Sequence, residues 1–157
     1  MPFFDKSNKE KMVFSALSIH AKKAIVWRWA IESFDDCFDS ISHLISDDVR
    51  KPCDISDLTW GEIIALAELH YNDVQFHYSE ISVAKVKNIL LSEHEEISSY
   101  RSWKDYSEFY RPRVLHSNED RWPCLAPVND PLLIEDGWNR LHSYVASGHS
   151  TIPMLGF

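Results

Sequence analysis

The sequence predicts an α+β protein, in which an N-terminal helical region (residues 1–72) is followed by a small strand–helix–strand unit within residues 73–157. Three observations predict this order. The first region repeats apolar residues at the helical period of about 3.6. Residues 74–78 alternate and are rich in strand-forming residues, and the C-terminal part holds two apolar runs on either side of a helical pattern. The sequence leaves open whether residues 1–70 form a separate unit.

Three helices are predicted in the first region. Residues 8 to about 33 contain no Gly or Pro, and residues 34–45 carry a second apolar stripe. Thr59, followed three residues later by Glu62, matches a capping box, which predicts the start of a third helix that ends at Asn72. The apolar positions of the first helix are Met12, Leu17, Ala21, Ala24, Ile25 and Ile31.

A strand and further helices are predicted for the middle of the chain. After the strand at 74–78, residues 80–91 fit either a strand or a helix, and helix is favoured after Ser82. Another helix is expected over 92–110. Three prolines within residues 122–131 predict a looser stretch.

The last part of the chain predicts the strand–helix–strand unit. The apolar run at 131–136 closes with turn residues, as expected of a buried strand. A helix over 137–147 is ended by Gly148, and residues 151–155 form a short final strand.

Composition limits the function classes. The 157 residues are 45% hydrophobic with a net charge of −8, and this surplus of carboxylates argues against direct nucleic-acid binding. No stretch reaches the roughly 18 apolar residues of a membrane span, and the N-terminus lacks the pattern of a signal peptide. We therefore expect a cytoplasmic protein without membrane contact. The three cysteines are too few and too widely spaced for a disulfide framework, and we expect small buried side chains at all three: Cys37, Cys53 and Cys124.

Charge is unevenly distributed along the chain. An acidic belt in the first region holds eight carboxylates against two cations. Its members are Glu32, Asp35, Asp36, Asp39, Asp47, Asp48, Asp54 and Asp57, with Arg50 and Lys51 as the cations. The belt fits either a solvated acidic surface or a site that docks on a basic partner protein, with Asp35, Asp36 and Asp39 as its contact residues. A basic stretch with interleaved aromatic residues, at 101–122, fits a helix face better than a polyanion site.

The residue pattern with most chemistry is the turn before the last helix. Asp136 stands where a helix N-cap belongs, and Gly137 permits a sharp turn with positive φ. The first backbone amides of the helix, together with the Arg140 guanidinium, could then bind a phosphate. The same residues also fit an ordinary cap in which Arg140 pairs with Glu135 or Asp136. The eight histidines are scattered, and their spacing does not favour a metal site.

The segment LLIEDGWNRLHSYVASGHSTIPML resembles the signature segment of the ParB/sulfiredoxin-like superfamily. In that family a strand runs into a glycine-containing turn, often Asp-Gly-x-His-Arg, followed by a helix and a strand with Ile-Pro or Val-Pro. Asp136, Gly137 and Arg140 match this pattern, and so does the closing Thr-Ile-Pro. Asn139 stands at the position of the usual histidine. The resemblance covers about residues 125–155.

The resemblance implies a nucleotide or phosphate pocket at this turn. Members of the family bind CTP in chromosome partition or use ATP in sulfiredoxins, so ATP or CTP with Mg²⁺ is the ligand we expect. The residues that would form the pocket are Asp136, Gly137, Trp138, Asn139 and Arg140. Trp138 stands where sulfiredoxins have their reactive cysteine, so sulfinic-acid reduction is not expected. The family includes many phage and plasmid proteins, which suggests such an origin here.

Two functions are therefore predicted from the sequence. The first is a small nucleotide- or phosphate-binding protein; its reaction is not assigned, and phosphoryl transfer with magnesium beside Asp136 or Glu135 is the type that would fit. The alternative is a non-enzymatic acidic interaction protein, or inhibitor, that docks on a basic, nucleic-acid-binding partner. The first requires Arg140, whereas the second should survive Arg140→Ala and weaken with salt.

Overall fold

The computed structural model describes residues 10–84, 122–126 and 137–157, and the chain divides into two compact units. One unit comprises Met12–Gln75, and the other comprises Met1–Lys11 with Phe76–Phe157. Several helices and a four-stranded sheet confirm the general α+β class. Within the described residues, no helix is both long enough and apolar enough to cross a bilayer.

The first helix begins later than the sequence predicts. Helix α1 spans Ile19–Ile25 and continues into a π-helical segment, Val26–Glu32. The side chain of Ser18 caps α1 by accepting a hydrogen bond from the Ala21 amide at 3.2 Å. Upstream of the cap lie strand β1, Glu10–Val13, and a short 3₁₀ turn. The prediction of helix from residue 8 was thus wrong for β1, because a serine cap sets the start of the helix.

The second predicted helix is confirmed as helix α2, Asp36–Ile41, followed by a 3₁₀ turn at Ser42–Leu44. Asp35 caps α2, since its Oδ1 accepts a hydrogen bond from the Cys37 amide at 3.0 Å. Cys37 and Ile41 are the buried residues of this helix. A further 3₁₀ turn, Pro52–Asp54, precedes the longest helix.

Helix α3 spans Asp57–Tyr71, and its C-cap is Asn72, the predicted end. Its cap, however, is Ser56, whose Oγ accepts a hydrogen bond from the Thr59 amide at 3.2 Å. The predicted capping box at Thr59 was therefore wrong by three residues. Ser56 and Thr59 are both good cap residues, and the helix begins directly after Ser56. The buried face of α3 comprises Trp60, Ile63, Ile64, Ala67 and Tyr71.

The sheet has the strand order β1-β2-β4-β3. Strand β2, Gln75–Ser82, runs antiparallel to β4, Thr151–Gly156, and β3, Cys124–Ala126, runs parallel to β4. Both β2 and β4 confirm predicted strands. Strand β3 was not predicted, because Pro123 and Pro127 on either side of it suggested a loop. The predicted strand at 131–136 and the predicted helix at 92–110 lie outside the described residues.

Helix α4, Trp138–Ala146, lies in the chain between β3 and β4 and packs against both. Because β3 and β4 are parallel, these elements form a strand–helix–strand crossover. The helix ends as predicted, with Gly148 in the left-handed region at φ 77°.

Proline 153 occupies a central strand without loss of a ladder hydrogen bond. The Val83 amide donates to the Ser150 carbonyl at 3.0 Å. Since hydrogen-bonded and non-hydrogen-bonded pairs alternate along an antiparallel ladder, Glu80 and Pro153 form a non-hydrogen-bonded pair. The nitrogen of Pro153 therefore points away from β2. The parallel ladder with β3 starts one residue later, at Met154, so no ladder bond requires the missing N–H.

Candidate anion-binding turn at the start of helix α4

The turn before α4 is formed by Gly137 in the left-handed conformation. Gly137 is the N-cap with φ 99° and ψ 19°, and its carbonyl accepts the first helical hydrogen bond, from the Leu141 amide at 2.7 Å. The expected positive φ is thus confirmed. The cap itself was predicted wrongly: Gly137, not Asp136, is the N-cap, and glycine has no side chain with which to cap the helix. The left-handed conformation turns the chain into the helix, and glycine adopts it without the steric cost that a Cβ atom would bring.

Packing against β3 also requires a glycine at this position. A Cβ atom on Gly137 would lie 3.1 Å from Cα and 3.2 Å from Sγ of Cys124. The Cys124 thiol donates a hydrogen bond to the Gly137 carbonyl at 3.4 Å. Both distances to a Cβ are shorter than ordinary van der Waals contact, so the turn approaches the strand closely. Gly137 therefore serves the fold of this unit whether or not a ligand binds.

Arg140 is held by the two residues that precede strand β3. Its Nη1 donates a hydrogen bond to the Pro123 carbonyl at 2.7 Å, and the guanidinium lies over the Trp122 ring at 5.4 Å from the ring centroid. The side chain is half-buried. These contacts fix the guanidinium beside the turn. A guanidinium has further N–H donors besides the one that binds Pro123, so the contact with the fold does not by itself exhaust its capacity to donate.

The buried face of α4 anchors the helix on the sheet. Leu141, Ser143 and Tyr144 are buried, whereas Val145 is only half-buried. The Tyr144 hydroxyl donates a hydrogen bond to the Trp122 carbonyl at 2.8 Å. The sequence interpretation missed Tyr144, although its position three residues after Leu141 places it on the same helix face.

The structure therefore brings together two of the five predicted site residues, Gly137 and Arg140. A Cβ on Gly137 would lie 3.1 Å from Arg140 Nη1, which shows how near the guanidinium is to the turn. Asp136 lies outside the described residues, and so do the side chains of Trp138 and Asn139. Among the residues that are described, no group of three His, Cys, Asp or Glu side chains could hold a metal ion.

The three acidic residues predicted to contact a partner have different environments. Asp36 and Asp39 are exposed on the first turn of α2. Asp35 is engaged by the fold, since its Oδ1 accepts from the Cys37 amide and its Oδ2 accepts from the Tyr71 hydroxyl. Charge reversal at Asp35 would thus disturb the helix cap as well as the surface charge.

Burial around Asp35 changes the acidity of its neighbours. Desolvation by burial, reinforced by the Asp35 carboxylate, raises the pKa of the Cys37 thiol from 9.0 to about 11. Burial and the hydrogen bond to Asp35 raise the pKa of Tyr71 as well. Cys37 and Cys124 are buried, as predicted, whereas the prediction was wrong for Cys53, which is exposed on the short 3₁₀ turn before α3.

Comparison with known proteins adds no relative: no protein-family model, curated protein or solved structure matches the chain.

Proposed function

We propose that the start of helix α4 binds the phosphate of a nucleotide or of another phosphorylated ligand. The observation that carries the proposal is the left-handed Gly137 cap with the Arg140 guanidinium fixed beside it. The first amides of a helix have no intrahelical acceptor and point toward the positive end of the helix dipole, which favours an anion. The resemblance of residues 134–155 to the ParB/sulfiredoxin-like segment supports the same interpretation.

Arg140 would contribute through its fixed position. Because Pro123 and Trp122 already hold the guanidinium, little side-chain entropy is lost when it donates to a phosphate. Gly137 would contribute by the absence of a side chain, which lets an anion approach the backbone amides. ATP or CTP with Mg²⁺ is the ligand that we propose; if a reaction follows, Asp136 or Glu135 would supply the carboxylate beside the metal.

Ligand binding is tested by calorimetry and thermal shift with ATP, ADP, CTP and GTP in the presence of magnesium. We expect saturable binding by the wild-type protein and at least tenfold weaker binding by Arg140→Ala, a loss of about 1.4 kcal/mol or more. Arg28→Ala is the matched control, since Arg28 is also a half-buried arginine but lies in the other unit.

Two results would contradict the proposal. One is the absence of binding of every nucleotide to the wild-type protein. The other is unchanged binding by Arg140→Ala, provided that the unfolding curve of the variant shows it to be folded at the assay temperature.

A second candidate function, docking of the helical unit on a basic partner protein, is supported by the surface around α2. Phe34 is 68% exposed, adopts a left-handed φ of 53°, and stacks edge-on against Phe38 at 4.7 Å between ring centroids. Exposed Asp36 and Asp39 follow it. An exposed aromatic ring beside two carboxylates is a combination that suits a cationic side chain.

This second candidate is tested with a nona-arginine peptide at low and high salt. The variant Asp36→Lys/Asp39→Lys should weaken binding at least threefold more than Asp47→Lys/Asp48→Lys, which changes the net charge equally at two other exposed aspartates. If both double variants weaken peptide binding equally, net charge alone explains the affinity, and a docking site at α2 is rejected.

A further inference from the structure

Helix α3 carries apolar residues on its outer side as well as on its buried side. Leu58 and Leu69 are 79% and 81% exposed, and Gly61 and Ala65 between them are exposed too. At 100° per residue, Leu58, Ala65 and Leu69 fall within a narrow stripe directly opposite Trp60 and Ala67. A helix that is apolar on both sides is usually covered on both sides.

Gly61, which borders this stripe, is not required by the fold. Gly61 lies in the interior of α3, where glycine weakens a helix relative to alanine. A Cβ atom built on Gly61 would have no atom within 4 Å, so space within the protein does not exclude a larger residue. Gly61 and Ala65 together leave a shallow notch between Leu58 and Leu69. Such a notch lets a second helix approach closely and insert a large apolar side chain.

Carboxylates surround the stripe. Glu62 is exposed on the same face, the Asp57 side chain is fully exposed at the start of the helix, and Asp73 is exposed just beyond its end. Two cations lie nearby: Lys22 pairs with Glu68 at 2.6 Å. The Lys23 ammonium lies over the Trp60 ring at 5.6 Å from its centroid and 3.8 Å from the Asp57 carboxylate itself.

The unit as a whole is acidic, with five Lys or Arg residues against eleven Asp or Glu residues in Met12–Gln75. A second copy of the chain would therefore bring like charges together across this face, which disfavours self-association. A partner with cations beside an apolar ridge would complement both the apolar stripe and the carboxylates around it.

We propose that the outer face of α3, formed by Leu58, Gly61, Glu62, Ala65 and Leu69, binds an amphipathic helix of a partner protein whose apolar ridge is flanked by lysine or arginine. The apolar ridge packs along the two leucines, with a large side chain in the notch at Gly61. The flanking cations pair with Glu62 and with the carboxylates at the helix ends. The face requires neither Arg140 nor the turn at Gly137, so its failure and that of the anion-binding turn are separate results.

The test uses a defined probe, an 18-residue helical peptide with leucines along one ridge and lysines on both flanks. A matched peptide has glutamates in place of the lysines. Binding of each fluorescently labelled peptide to the full chain is measured by anisotropy, and the oligomeric state of the chain alone is measured by sedimentation equilibrium. The variants are Leu58→Ser/Leu69→Ser, Glu62→Lys and Gly61→Ala, with Ile19→Ser, at a residue 47% exposed elsewhere in the same unit, as the control.

We expect saturable binding of the lysine-flanked peptide and at least tenfold weaker binding of the glutamate-flanked one. Leu58→Ser/Leu69→Ser should lose roughly tenfold in affinity, whereas Ile19→Ser should not change it. Gly61→Ala should raise the melting temperature while lowering the affinity, a combination that a purely structural role of Gly61 would not give.

Three outcomes would overturn the proposal. They are equal binding of the two peptides, full affinity of the double serine variant, and a dimer of the chain that dissociates in the same variant. The last would assign the face to a second copy. Failure of the peptide to bind the wild-type protein at all would reject the face as a docking site.

Discussion

Helix α4 has its most distinctive residues engaged by the fold, whereas helix α3 has apolar residues that remain exposed. Gly137 and Arg140 at the start of α4 each contact strand β3 or the residues before it. Leu58 and Leu69 on α3 stand in solvent at 79% and 81% exposure. The motif residues Gly137 and Arg140 thus have structural roles. Leu58 and Leu69, which belong to no motif, have no evident structural role.

A sequence motif does not by itself establish a binding site. A glycine and an arginine at a helix start predict anion binding, but the same two residues also allow a helix to pack closely on a strand. Only ligand measurements separate the two roles at α4. At α3 large apolar side chains are exposed instead, and burial by a partner would recover the free energy that this exposure costs.

The largest loss of stability is expected at the start of α4, and a smaller one at its end. Gly137→Ala should lower the free energy of unfolding by about 2–3 kcal/mol, because it combines an unfavourable φ with close contact to Cys124. Gly148→Ala also has positive φ, but a Cβ there would have nothing within 4 Å, so about 1 kcal/mol is expected. Urea unfolding of both variants measures the difference. Equal losses would show that the contact with β3 contributes nothing.

A second prediction concerns the buried side of α3, where Tyr71 meets Asp35 and Cys37. The pKa of Cys37 is higher in the folded chain, at about 11, than its ordinary 9.0, so the folded state holds the proton more tightly. This contribution to stability is complete below pH 9 and is lost as pH rises through 11, by at most about 3 kcal/mol. Urea unfolding across this range should show the decline.

Tyr71, whose pKa is also raised, adds to the same alkaline loss. Cys37→Ala should therefore retain part of the pH dependence and show a smaller decline than the wild-type protein. A decline of the same size in both would mean that the Cys37 thiol does not titrate in a buried site.

A third prediction tests how firmly Arg140 is held. Arg140→Ala should lower the free energy of unfolding by about 1–2 kcal/mol without any ligand, because it removes the hydrogen bond to Pro123 and the contact with Trp122. Thermal and urea unfolding measure this. No loss of stability would mean that the guanidinium is not fixed to β3, and the contrast with α3 would then weaken.

The smallest effect is a gain on α3. Gly61→Ala should raise the free energy of unfolding by about 0.5–1 kcal/mol, since alanine favours helix and a Cβ meets nothing within 4 Å. The matched change Ala65→Gly, one turn later on the same face, should lower stability by a similar amount. If Gly61→Ala is destabilising instead, the outer face of α3 is not open in solution.

The sequence predicted the elements that depend on local pattern. Helix α3 and strands β2 and β4 were found because their apolar spacing and flanking turn residues are distinctive. The position of a cap was harder to predict, because Ser56 and Thr59 are both suitable and only the fold selects between them. Strand β3 was missed because three residues, Cys124–Ala126, form a strand through parallel pairing with β4, which is distant in sequence.

The candidate site was predictable only in part. The positive φ of Gly137 follows from the glycine before a helical pattern, and the structure confirms it. The contacts of Arg140 could not be predicted, because Pro123 and Trp122 come from a segment 17 and 18 residues away whose path no local pattern specifies. The exposure of Leu58 and Leu69 could not be predicted either, since α3 has apolar residues around most of its circumference and its sequence does not show which side faces the core.

The exposed Cys53 gives the chain a built-in attachment point for a probe. It is followed closely by α3, and the carbonyl of its neighbour Pro52 accepts a hydrogen bond from Nε1 of Trp60 at 3.3 Å. Cys37 and Cys124 are buried, so a thiol-reactive fluorophore at neutral pH should label a single native position. Emission from that label would report a change in the surroundings of α3 in real time, with no engineered cysteine.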